Sequence, residues 1–428
     1  MSGPFGVSCK VADNSNQSEG RRMAAVEPLT TISRPVDDLS AWLSDANKAV
    51  HIKLVHSLEN DQGFHPEFTY PIFGQEERIF GYKNLTINLY YAAGSLHTYL
   101  DIHYGKKIQT SAVQPAYADD ALRTLREHLP KGLANNLDEF MRRVEVDEAA
   151  FTPYGRKMYQ YRGRKDDSRV FEIWHATFAD RGFIDYHDRM KIFAIFYIEG
   201  ASNIEPDERW EVFVTYEKRN EGGRESYTFV GYSTCYPFFC YPDSVRMRIS
   251  QFVVLPLYQG QGHGGALYDF LYREFWSRNK TVDFGSVESW GQLPVKEITV
   301  EDPNETFQIM RDRRDVRLAE REKIFEKLYP PTTMDSVLQL SRKYKLNKKQ
   351  GYRTYELYMY SHVPRSDTNL YSAYRRHIKK RLYLQNLDQL LAASPDDIKK
   401  KLHDGFQNLI IEYRQQLDPN TWRPTPAA

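Results

Sequence analysis

Cysteine is scarce in this chain, and neither sign of charge prevails. The three cysteines in 428 residues, Cys9, Cys235 and Cys240, are too few for a disulfide framework and suit a reducing compartment. The formal net charge is only +1, so no overall field draws the protein onto nucleic acid or membrane. The basic run RRHIKKR, residues 375–381, is either a nuclear-targeting or nucleic-acid-binding patch or, as we favour, the solvated face of an amphipathic helix. We therefore expect no direct DNA binding.

Long apolar runs and metal-binding patterns are also absent. No apolar stretch approaches the roughly 20 residues of a membrane span, and the first 30 residues lack the apolar segment of a signal peptide. The twelve histidines show no paired spacing with cysteines or acids, so we expect no metal site. Apolar residues make up 41% of the chain, enough for a proper core, and the length favours roughly two or three domains.

Glycine is concentrated where a helix should begin, in LYQGQGHGGALYDFLYREF, residues 257–275. The preceding apolar run, Phe252–Leu255, predicts a buried strand. Glycines let backbone N–H groups approach a ligand, and a helix start offers unpaired N–H groups at the positive end of its dipole. The stretch therefore predicts a strand, an anion-binding loop and a helix, with phosphate as the usual ligand. One face of that helix should carry Leu267, Phe270, Leu271 and Phe275.

One motif that fits these letters belongs to dinucleotide-binding proteins. Gly260, Gly262 and Gly265 satisfy G-x-G-x-x-G, and Asp283 follows where a ribose-binding acid is expected. In such proteins the first strand runs directly into the first glycine, whereas Pro256 to Gln259 intervene here. This motif keeps a nicotinamide-dependent oxidoreductase open as an alternative function.

The second motif is the pyrophosphate signature of acyl-CoA-dependent N-acetyltransferases. Gln259, Gly262 and Gly264 satisfy its pattern, Q-x-x-G-x-G. Three stretches of period-two alternation, which predict antiparallel strands, come before the loop. This order favours the acyl-CoA interpretation over the dinucleotide one, and a glycine-rich turn without a ligand is the remaining alternative.

The pattern changes along the chain, and we divide it into five segments. Residues 1–27 are polar and predict a disordered tail. Residues 28–180 predict a mixed α/β domain that contributes to substrate binding. Residues 181–329 hold the alternating strands, the glycine loop and its helix, and predict the ligand-binding catalytic domain. Residues 330–418 show helical periodicity only, and residues 419–428 predict a loose tail.

Several motifs, in order, resemble one enzyme family. The strands, the loop QGQGHGG, its helix and the strand ITVEDP resemble the GNAT acetyltransferase core. More narrowly, roughly residues 45–420 are similar to the catalytic subunit of type B histone acetyltransferases, through FGQEERIFGYKNLTINLYYAAGSL, RGFIDYHDRM, DERWEVFVTYEK, LYQGQGHGGALY and ITVEDPNETF. The link over residues 283–296 is longer than the family leads us to expect. A surface insertion or a gene-model error would explain the extra length.

The resemblance implies an α+β fold, with a GNAT acyltransferase core, a mixed α/β N-terminal domain and a helical C-terminal domain. It implies acetyl transfer from acetyl-CoA to lysines near the N-terminus of newly made, free histone H-four. It also implies a WD-repeat histone-binding partner subunit and a cytoplasmic and nuclear distribution. A non-catalytic histone chaperone is the alternative, and the intact Glu301 and glycine loop argue against it.

Carboxylates at two places are candidates for catalysis. Lysine must lose a proton to attack a thioester, since only about one amine in a thousand is neutral near pH 7. Glu301 ends the strand ITVEDP and is our candidate base, a role that the resemblance also gives it; an exposed strand-end acid is the alternative. Asp302, Pro303 and Glu305 match a helix capping box, so Asp302 is mainly a cap with a secondary electrostatic role. Glu199 would assist according to the resemblance, whereas the residues alone allow a surface position equally well.

The resemblance assigns the acetyl-CoA contacts to three places. Backbone N–H groups before the loop would stabilise the negative oxygen of the tetrahedral intermediate and bind the pantetheine arm. Asn304 and Arg313 would contact CoA from the following helix, and His263 would face the phosphates as a positioning residue rather than a base. The residues concerned are Phe252, Val253 and Val254 for the arm, and Gln259, Gly260, Gln261, Gly262, His263, Gly264 and Gly265 for the pyrophosphate.

A basic histone tail needs acidic and aromatic contacts, and the resemblance supplies candidates for both. From the residues alone, the two glutamates in FGQEER are equally well turn acids, and the alternative for the tryptophan is a core residue. Cys235 and Cys240 could carry an acetyl group, but we favour the interpretation that they are small residues within strands. This interpretation favours direct transfer of the acetyl group from acetyl-CoA to lysine. The candidate tail contacts are Glu76, Glu77, Trp210, Tyr236, Pro237 and Phe238.

Overall fold

The computed structural model of the chain shows an α+β fold, as expected. Several sequence predictions lie outside the described residues: the two tails, 1–27 and 419–428, the ribose-binding candidate Asp283, and positions 283–292 of the long link. The structure describes residues 39–56, 63–109, 116–221, 223–278 and 293–418.

Short strands and helices make up the first part of the chain. Their bounds, in chain order, are a 3-10 helix (Leu39–Trp42), β1 (Leu43–Asp45), α1 (Ala46–Ala49), β2 (Val50–Val55), β3 (Gly63–Phe64), α2 (Tyr70–Phe73), β4 (Arg78–Phe80), β5 (Tyr82–Lys83), β6 (Thr86–Ala92), β7 (Thr98–His103), β8 (Lys106–Lys107), α3 (Ala121–Arg126) and α4 (Leu137–Ala150). Strands β3, β2, β6 and β7 form a four-stranded sheet in that order, while β1 pairs with β4 and β5 with β8.

A larger mixed sheet follows. Its region contains β9 (Arg156–Arg162), β10 (Val170–Thr177), α5 (Phe183–Met190), α6 (Ile192–Tyr197), β11 (Glu211–Glu221), β12 (Arg224–Cys240), β13 (Ser244–Val254), a 3-10 helix (Pro256–Tyr258), α7 (His263–Ser277), β14 (Val295–Val300) and α8 (Glu305–Arg321). The strands lie in the order β14-β13-β12-β11-β10-β9. All neighbours pair antiparallel except β13 and β14, which are parallel.

Helices form the last described part of the chain, which confirms the prediction from its periodicity. They are α9 (Met334–Lys343), α10 (Lys348–His362), α11 (Thr368–Gln385), α12 (Leu387–Leu390) and α13 (Pro395–Gln416). The basic run at residues 375–381 lies on α11, where His377 and Ile378 are buried and Arg375 is exposed. Arg381 pairs with the buried Glu356, so part of the run supports the fold.

The large sheet has a hydrophobic core on each face. Along β11, Val212, Val214 and Tyr216 belong to a core shared with the N-terminal elements and with α5 and α6. Phe213 points the other way, into a core shared with α7, α8 and the C-terminal helices. Because successive side chains of a strand point to opposite faces, the consecutive apolar residues Val212, Phe213 and Val214 encode a sheet covered on both sides.

The predicted strands, glycine loop and helix are confirmed in order. Strands β11, β12 and β13 form an antiparallel run, and the predicted helical face of α7 is buried. Strands β9 and β10 precede residue 180 yet pair with this sheet, so the sheet extends across the predicted domain border. The five-segment division itself stays a prediction.

Candidate active site

The large sheet opens where β13 and β14 separate. The strands pair in parallel over Val245–Ile249 and Val295–Val300. One residue further on, the Glu301 N–H donates to the carbonyl oxygen of Ile249 at 2.9 Å. Strand β13 continues to Val254, so among the described residues its last part has no strand beside it on that edge. Glu301, with 44% of its side chain exposed, lies at the start of this gap.

A β-bulge bends β13 at the same point. One residue of β12, Thr234, lies opposite two residues of β13, Ser250 and Gln251. The Gln251 N–H donates to the Thr234 hydroxyl at 3.0 Å, which replaces the ladder bond that the bulge removes. A bulge increases the local twist and redirects side chains, so β13 changes direction where β14 stops.

The glycine loop follows the free end of β13. Gly260 and Gly262 have φ angles of +66° and +98°, which residues with a side chain rarely adopt. A Cβ at Gly260 would meet no atom within 4 Å, and Gly262 is the N-cap of α7. The loop thus presents bare backbone beside the first N–H groups of a helix, which is the geometry of an anion site.

Two glutamines stabilise this loop from within. Gln259 Nε2 donates to the carbonyl oxygen of Val254 at 2.9 Å, and Gln261 Nε2 donates to that of Leu257 at 2.7 Å. Arg169 Nη1 donates to Gln261 Oε1 at 3.4 Å. Both glutamine side chains therefore hold the shape of the loop, and Gly260 is exposed between them.

The side chain of His263 is buried beneath the loop, with only 3% of the residue exposed. Its Nδ1 lies 3.0 Å from the Tyr161 hydroxyl, and its ring centre lies 4.2 Å from that of Phe171. Burial, with a smaller contribution from the positive charge of Arg169, lowers the pKa of His263 to about 4. The side chain thus packs inward, whereas the prediction had it facing the phosphates, and its backbone N–H is the first of α7.

Helix α8 is capped by Asn304 rather than by Asp302. Asn304 Oδ1 accepts a hydrogen bond from the Phe307 N–H at 2.9 Å, and the helix begins at Glu305. The capping box predicted from Asp302 is therefore wrong, because the amide two residues later takes the cap. Asp302 is exposed and has a φ of +30°, an unfavourable backbone conformation for a residue with a side chain.

The α8 arginine beside the glycine loop is Arg314, whereas Arg313, the predicted CoA contact, bonds to α13. Arg313 Nε donates to the carbonyl oxygen of Gln416 in α13 at 2.7 Å, so its side chain joins α8 to the C-terminal helix. Arg314 Nη1 pairs with Asp269 of α7 at 2.7 Å. Adjacent helical residues point about a quarter-turn apart, so a one-residue difference decides which helix each arginine reaches.

Two arginines cover glycines of the loop. A Cβ at Gly265 would lie 2.0 Å from Arg314 Nη2, and a Cβ at Gly262 would lie 2.6 Å from Arg164 Cδ. Glycine lets both arginines pack directly on the backbone, and each brings a positive charge to the helix start. Sequence reasoning missed both, because Arg164 follows β9 and Arg314 lies on α8, and only tertiary packing joins them to the loop.

An aromatic cleft of about 560 Å³ lies near the start of β11. The rings of Trp210 and Tyr236 are 4.8 Å apart between centres, and those of Tyr236 and Phe238 are 5.0 Å apart. The structure therefore brings together three of the predicted tail contacts, whereas Pro237 is buried. The residues that line the cleft are Glu205, Pro206, Asp207, Trp210, Tyr236 and Phe238.

Acidic residues form one wall of this cleft. Asp207 pairs with Arg209 and accepts a hydrogen bond from the Tyr236 hydroxyl at 3.2 Å. The hydrogen bonds from Arg209 lower the pKa of Asp207 to about 2, so its carboxylate is charged at neutral pH. Glu205 is exposed. Sequence reasoning did not select these acids, although the segment EPDERW shows two of them shortly before Trp210.

Of the two predicted N-terminal glutamates, Glu76 is exposed and Glu77 is bonded to the backbone. Glu77 Oε1 accepts hydrogen bonds from the N–H groups of Thr69 and Tyr70 at 2.7 and 3.1 Å. Its Oε2 accepts one from Asn47 Nδ2 at 2.9 Å. Glu77 thus satisfies otherwise unpaired N–H groups at the start of α2, a structural role that leaves Glu76 as the candidate tail contact.

Glu199 is exposed just beyond α6. The N–H of the next residue, Gly200, donates to the Tyr70 hydroxyl at 2.6 Å. The carbonyl oxygen of Ser202 accepts a hydrogen bond from Gln251 Nε2 at 2.9 Å. The segment that carries Glu199 therefore lies between the start of α2 and the bulge of β13, beside the opening of the sheet.

The described residues also bear on an acetyl-cysteine intermediate, a metal site and a membrane-spanning helix. Cys235 is fully buried, and burial raises the pKa of its thiol, which disfavours an acetyl-cysteine intermediate there. Within the described ranges, no cluster of three or more His, Cys, Asp or Glu side chains is arranged to hold a metal ion. In the same ranges, no helix is long and apolar enough to cross a membrane.

The chain is similar to known proteins along most of its length. Residues 42–199 match the family described as "Histone acetyl transferase HAT1 N-terminus". A relative from Cryptococcus neoformans var. neoformans serotype D, named "Histone acetyltransferase type B catalytic subunit", is 35% identical over 426 residues, which cover 89% of this chain and 98% of the relative. The chain belongs to the family of type B histone acetyltransferase catalytic subunits.

Other type B catalytic subunits show the same extent of similarity. The relative from Homo sapiens is 33% identical over 409 residues, which cover 89% of this chain and 94% of the relative. The relative from Mycosarcoma maydis is 34% identical and covers 87% of each chain. A solved aminoglycoside acetyltransferase from an uncultured soil metagenomic sample is 15% identical over 33% of this chain and 83% of that chain, at a TM-score of 0.23, too low to bear on the fold.

Membership of the type B family confirms the resemblance seen in the motifs. The chain is an acetyltransferase, and the alternatives of a nicotinamide-dependent oxidoreductase and a non-catalytic chaperone have no support.

Proposed function

We propose that this acetyltransferase transfers the acetyl group of acetyl-CoA to lysines near the N-terminus of free histone H-four, by direct attack with Glu301 as the base. The position of Glu301 carries the proposal: its carboxylate lies at the start of the gap between β13 and β14, and β13 continues along that gap toward the glycine loop. The order of three antiparallel strands, loop, helix and parallel strand supports a GNAT core.

Acetyl-CoA suits the free edge of β13 and the loop after it. The amides of a pantetheine arm need backbone partners, and Phe252, Val253 and Val254 lie where β13 has no strand on one edge. A pyrophosphate needs N–H donors and positive charge, and the backbone of Gln259–Gly265 offers the first while Arg164 and Arg314 offer the second. These residues would hold the co-substrate with its thioester toward Glu301.

The chemistry needs one base and one set of hydrogen-bond donors. Glu301 takes a proton from the lysine ammonium, directly or through water, and the neutral Nζ attacks the thioester carbonyl carbon. As the N–C bond forms, backbone N–H groups at the end of β13 stabilise the negative oxygen. The C–S bond then breaks, and the thiolate leaves with the electron pair of that bond. The nitrogen loses its second proton, and this proton converts the thiolate to the thiol. One further proton is released for each acetyl group transferred.

The cleft beside β11 supports binding of a basic peptide. The rings of Trp210, Tyr236 and Phe238 can pack on the aliphatic stems of lysine and arginine, while the exposed Glu205 supplies negative charge. Glu76 and Glu199 would add charge around the opening of the sheet. We also propose a WD-repeat histone-binding subunit as partner and a distribution between cytoplasm and nucleus, both from the family resemblance.

Mass spectrometry tests this proposal. The wild-type protein and Glu301→Gln are incubated with acetyl-CoA and free core histones, and acetylated lysines are located. We expect acetylation near the N-terminus of histone H-four with the wild type and far less with Glu301→Gln. Acetylation at other histones only would make the substrate assignment wrong, and equal acetylation by both proteins would make the base assignment wrong.

A further inference from the structure

Two side chains of β13 hold the carboxylate of Glu301. The Ser250 hydroxyl donates to Glu301 Oε2 at 2.5 Å. Arg248 Nη1 lies 3.6 Å from Glu301 Oε1, which is an ion pair too long for a hydrogen bond. Within the described part of the chain, Oε1 accepts no hydrogen bond, so one carboxylate oxygen is fixed and the other is open to receive a proton.

The pairing of the two parallel strands brings these side chains together. Ile249 lies opposite Val300, so Glu301 follows beside Ser250. Arg248 and Ser250 are two residues apart on one strand, and such residues point to the same face. The contacts therefore depend on the strand register and on the bulge that begins at Ser250, not on a loop.

Arg248 also contacts the aromatic cleft. Its guanidinium carbon lies 4.3 Å from the centre of the Phe238 ring, a cation–π contact. The same cation thus lies against both the base and a wall of the cleft. A lysine that reaches Glu301 through this cleft meets the positive charge of Arg248, which favours the neutral amine that the reaction needs.

We propose that Ser250 and Arg248 are positioning residues for the base. Ser250 selects the side-chain rotamer of Glu301 that keeps Oε1 open, and Arg248 supplies the positive charge between the base and the cleft. The inference rests on the proposed role of Glu301 and adds the residues that orient it. Orientation matters because a misplacement of about 1 Å can lower a rate roughly a hundredfold.

Substitution of Ser250 tests the orientation. Ser250→Ala should lower kcat about tenfold while the KM values for acetyl-CoA and for the tail peptide stay within about twofold. Ser250→Thr keeps a hydroxyl and should restore most of kcat. Ser244→Ala is the matched control, because Ser244 lies on the same strand but donates to the carbonyl oxygen of Cys240, and it should behave as wild type. A wild-type kcat in Ser250→Ala would overturn the inference.

A double-mutant cycle separates this inference from the proposed function. If Ser250 acts through Glu301, adding Ser250→Ala to Glu301→Gln should change kcat little. The same slowing in both backgrounds would overturn the inference while leaving the base in place. A near-wild-type kcat in Glu301→Gln alone would show that the base itself is wrong, and the inference with it.

Arg248 gives a second readout. Arg248→Lys and Arg248→Gln both lose the planar contact with Phe238, so any effect of that contact on the KM for the tail peptide should be the same in both. Only Arg248→Gln also removes the positive charge beside Glu301, so its kcat should fall further than that of Arg248→Lys. Equal kcat values in the two variants would contradict the role of the charge.

Discussion

The backbone N–H of Glu301 donates to the carbonyl oxygen of Ile249 at 2.9 Å, and the pairing of β13 with β14 ends at this bond. The backbone of the proposed base is therefore fixed by the sheet, while its side chain is half exposed beside the gap. A carboxylate placed in this way can exchange protons with solvent without loss of position, which is what a base used in every turnover requires.

Glu301→Gln keeps the size of the side chain and removes its basicity. We expect kcat at neutral pH to fall by roughly 10²–10⁴, with little change in melting temperature or acetyl-CoA affinity. Raising the pH should partly restore the rate, because more of the substrate lysine is then already neutral. Rates measured across pH for this variant and for Asp302→Asn decide the assignment. If Asp302→Asn abolishes activity and Glu301→Gln does not, the wrong carboxylate was chosen.

The capping of α8 predicts losses of stability of different size for two residues at the start of this helix. Asn304→Ala removes the acceptor of the Phe307 N–H and should lower the free energy of unfolding by about 1 kcal/mol. Asp302→Ala removes no cap, so denaturant unfolding should show a smaller loss. A larger loss for Asp302→Ala than for Asn304→Ala would contradict the observed cap.

Gly262→Ala should weaken acetyl-CoA binding at least tenfold, about 1.4 kcal/mol. The new methyl group displaces Arg164 and crowds the N–H groups of the loop. Gly132→Ala is the matched control, because Gly132 also has a left-handed φ, of +82°, with no atom within 4 Å of its Cβ position. Both variants should lose about 1–2 kcal/mol of stability, but only Gly262→Ala should bind acetyl-CoA less tightly in a titration.

The two N-terminal glutamates should differ when changed to lysine. Glu76→Lys should raise the KM for a histone-tail peptide more than that for acetyl-CoA, and the salt dependence of peptide binding should weaken. Glu77→Lys should mainly lower the melting temperature, because the N–H groups of Thr69 and Tyr70 lose their acceptor. An equal rise of both KM values in Glu76→Lys would indicate a folding defect instead of a lost tail contact.

The buried imidazole of His263 predicts a loss of stability in acid. Its pKa is lowered to about 4 in the folded protein, below the usual value of 6.5. The contribution of the neutral imidazole to the free energy of unfolding is therefore complete above pH 6.5. This contribution decreases as the pH falls toward 4, by up to about 1.4 kcal/mol per pH unit. Denaturant unfolding of His263→Gln should show a shallower pH dependence than the wild type in this window. The exposed His403, changed to Gln, is the control for the loss of a histidine outside the core.

The strand, the glycine loop and helix α7 could be predicted because their signals are local. Leu267, Phe270, Leu271 and Phe275 repeat at the period of a helix, and glycines mark the turn before it, all within a short stretch of chain. Glu301 was also within reach of the sequence, because a strand pattern ends there. Local periodicity encodes which residues form an element and which face they share.

Contacts between elements were decided by tertiary packing. Arg314 and not Arg313 lies beside the loop, and the side chain of His263 turns inward to Tyr161, because the packing of α7 and α8 on the sheet sets those directions. Ser250 and Glu301 are 51 residues apart and meet only through the register of two parallel strands. No pattern along the chain records that register, since hydrophobic alternation defines the faces of each strand but not which residues of two strands lie side by side.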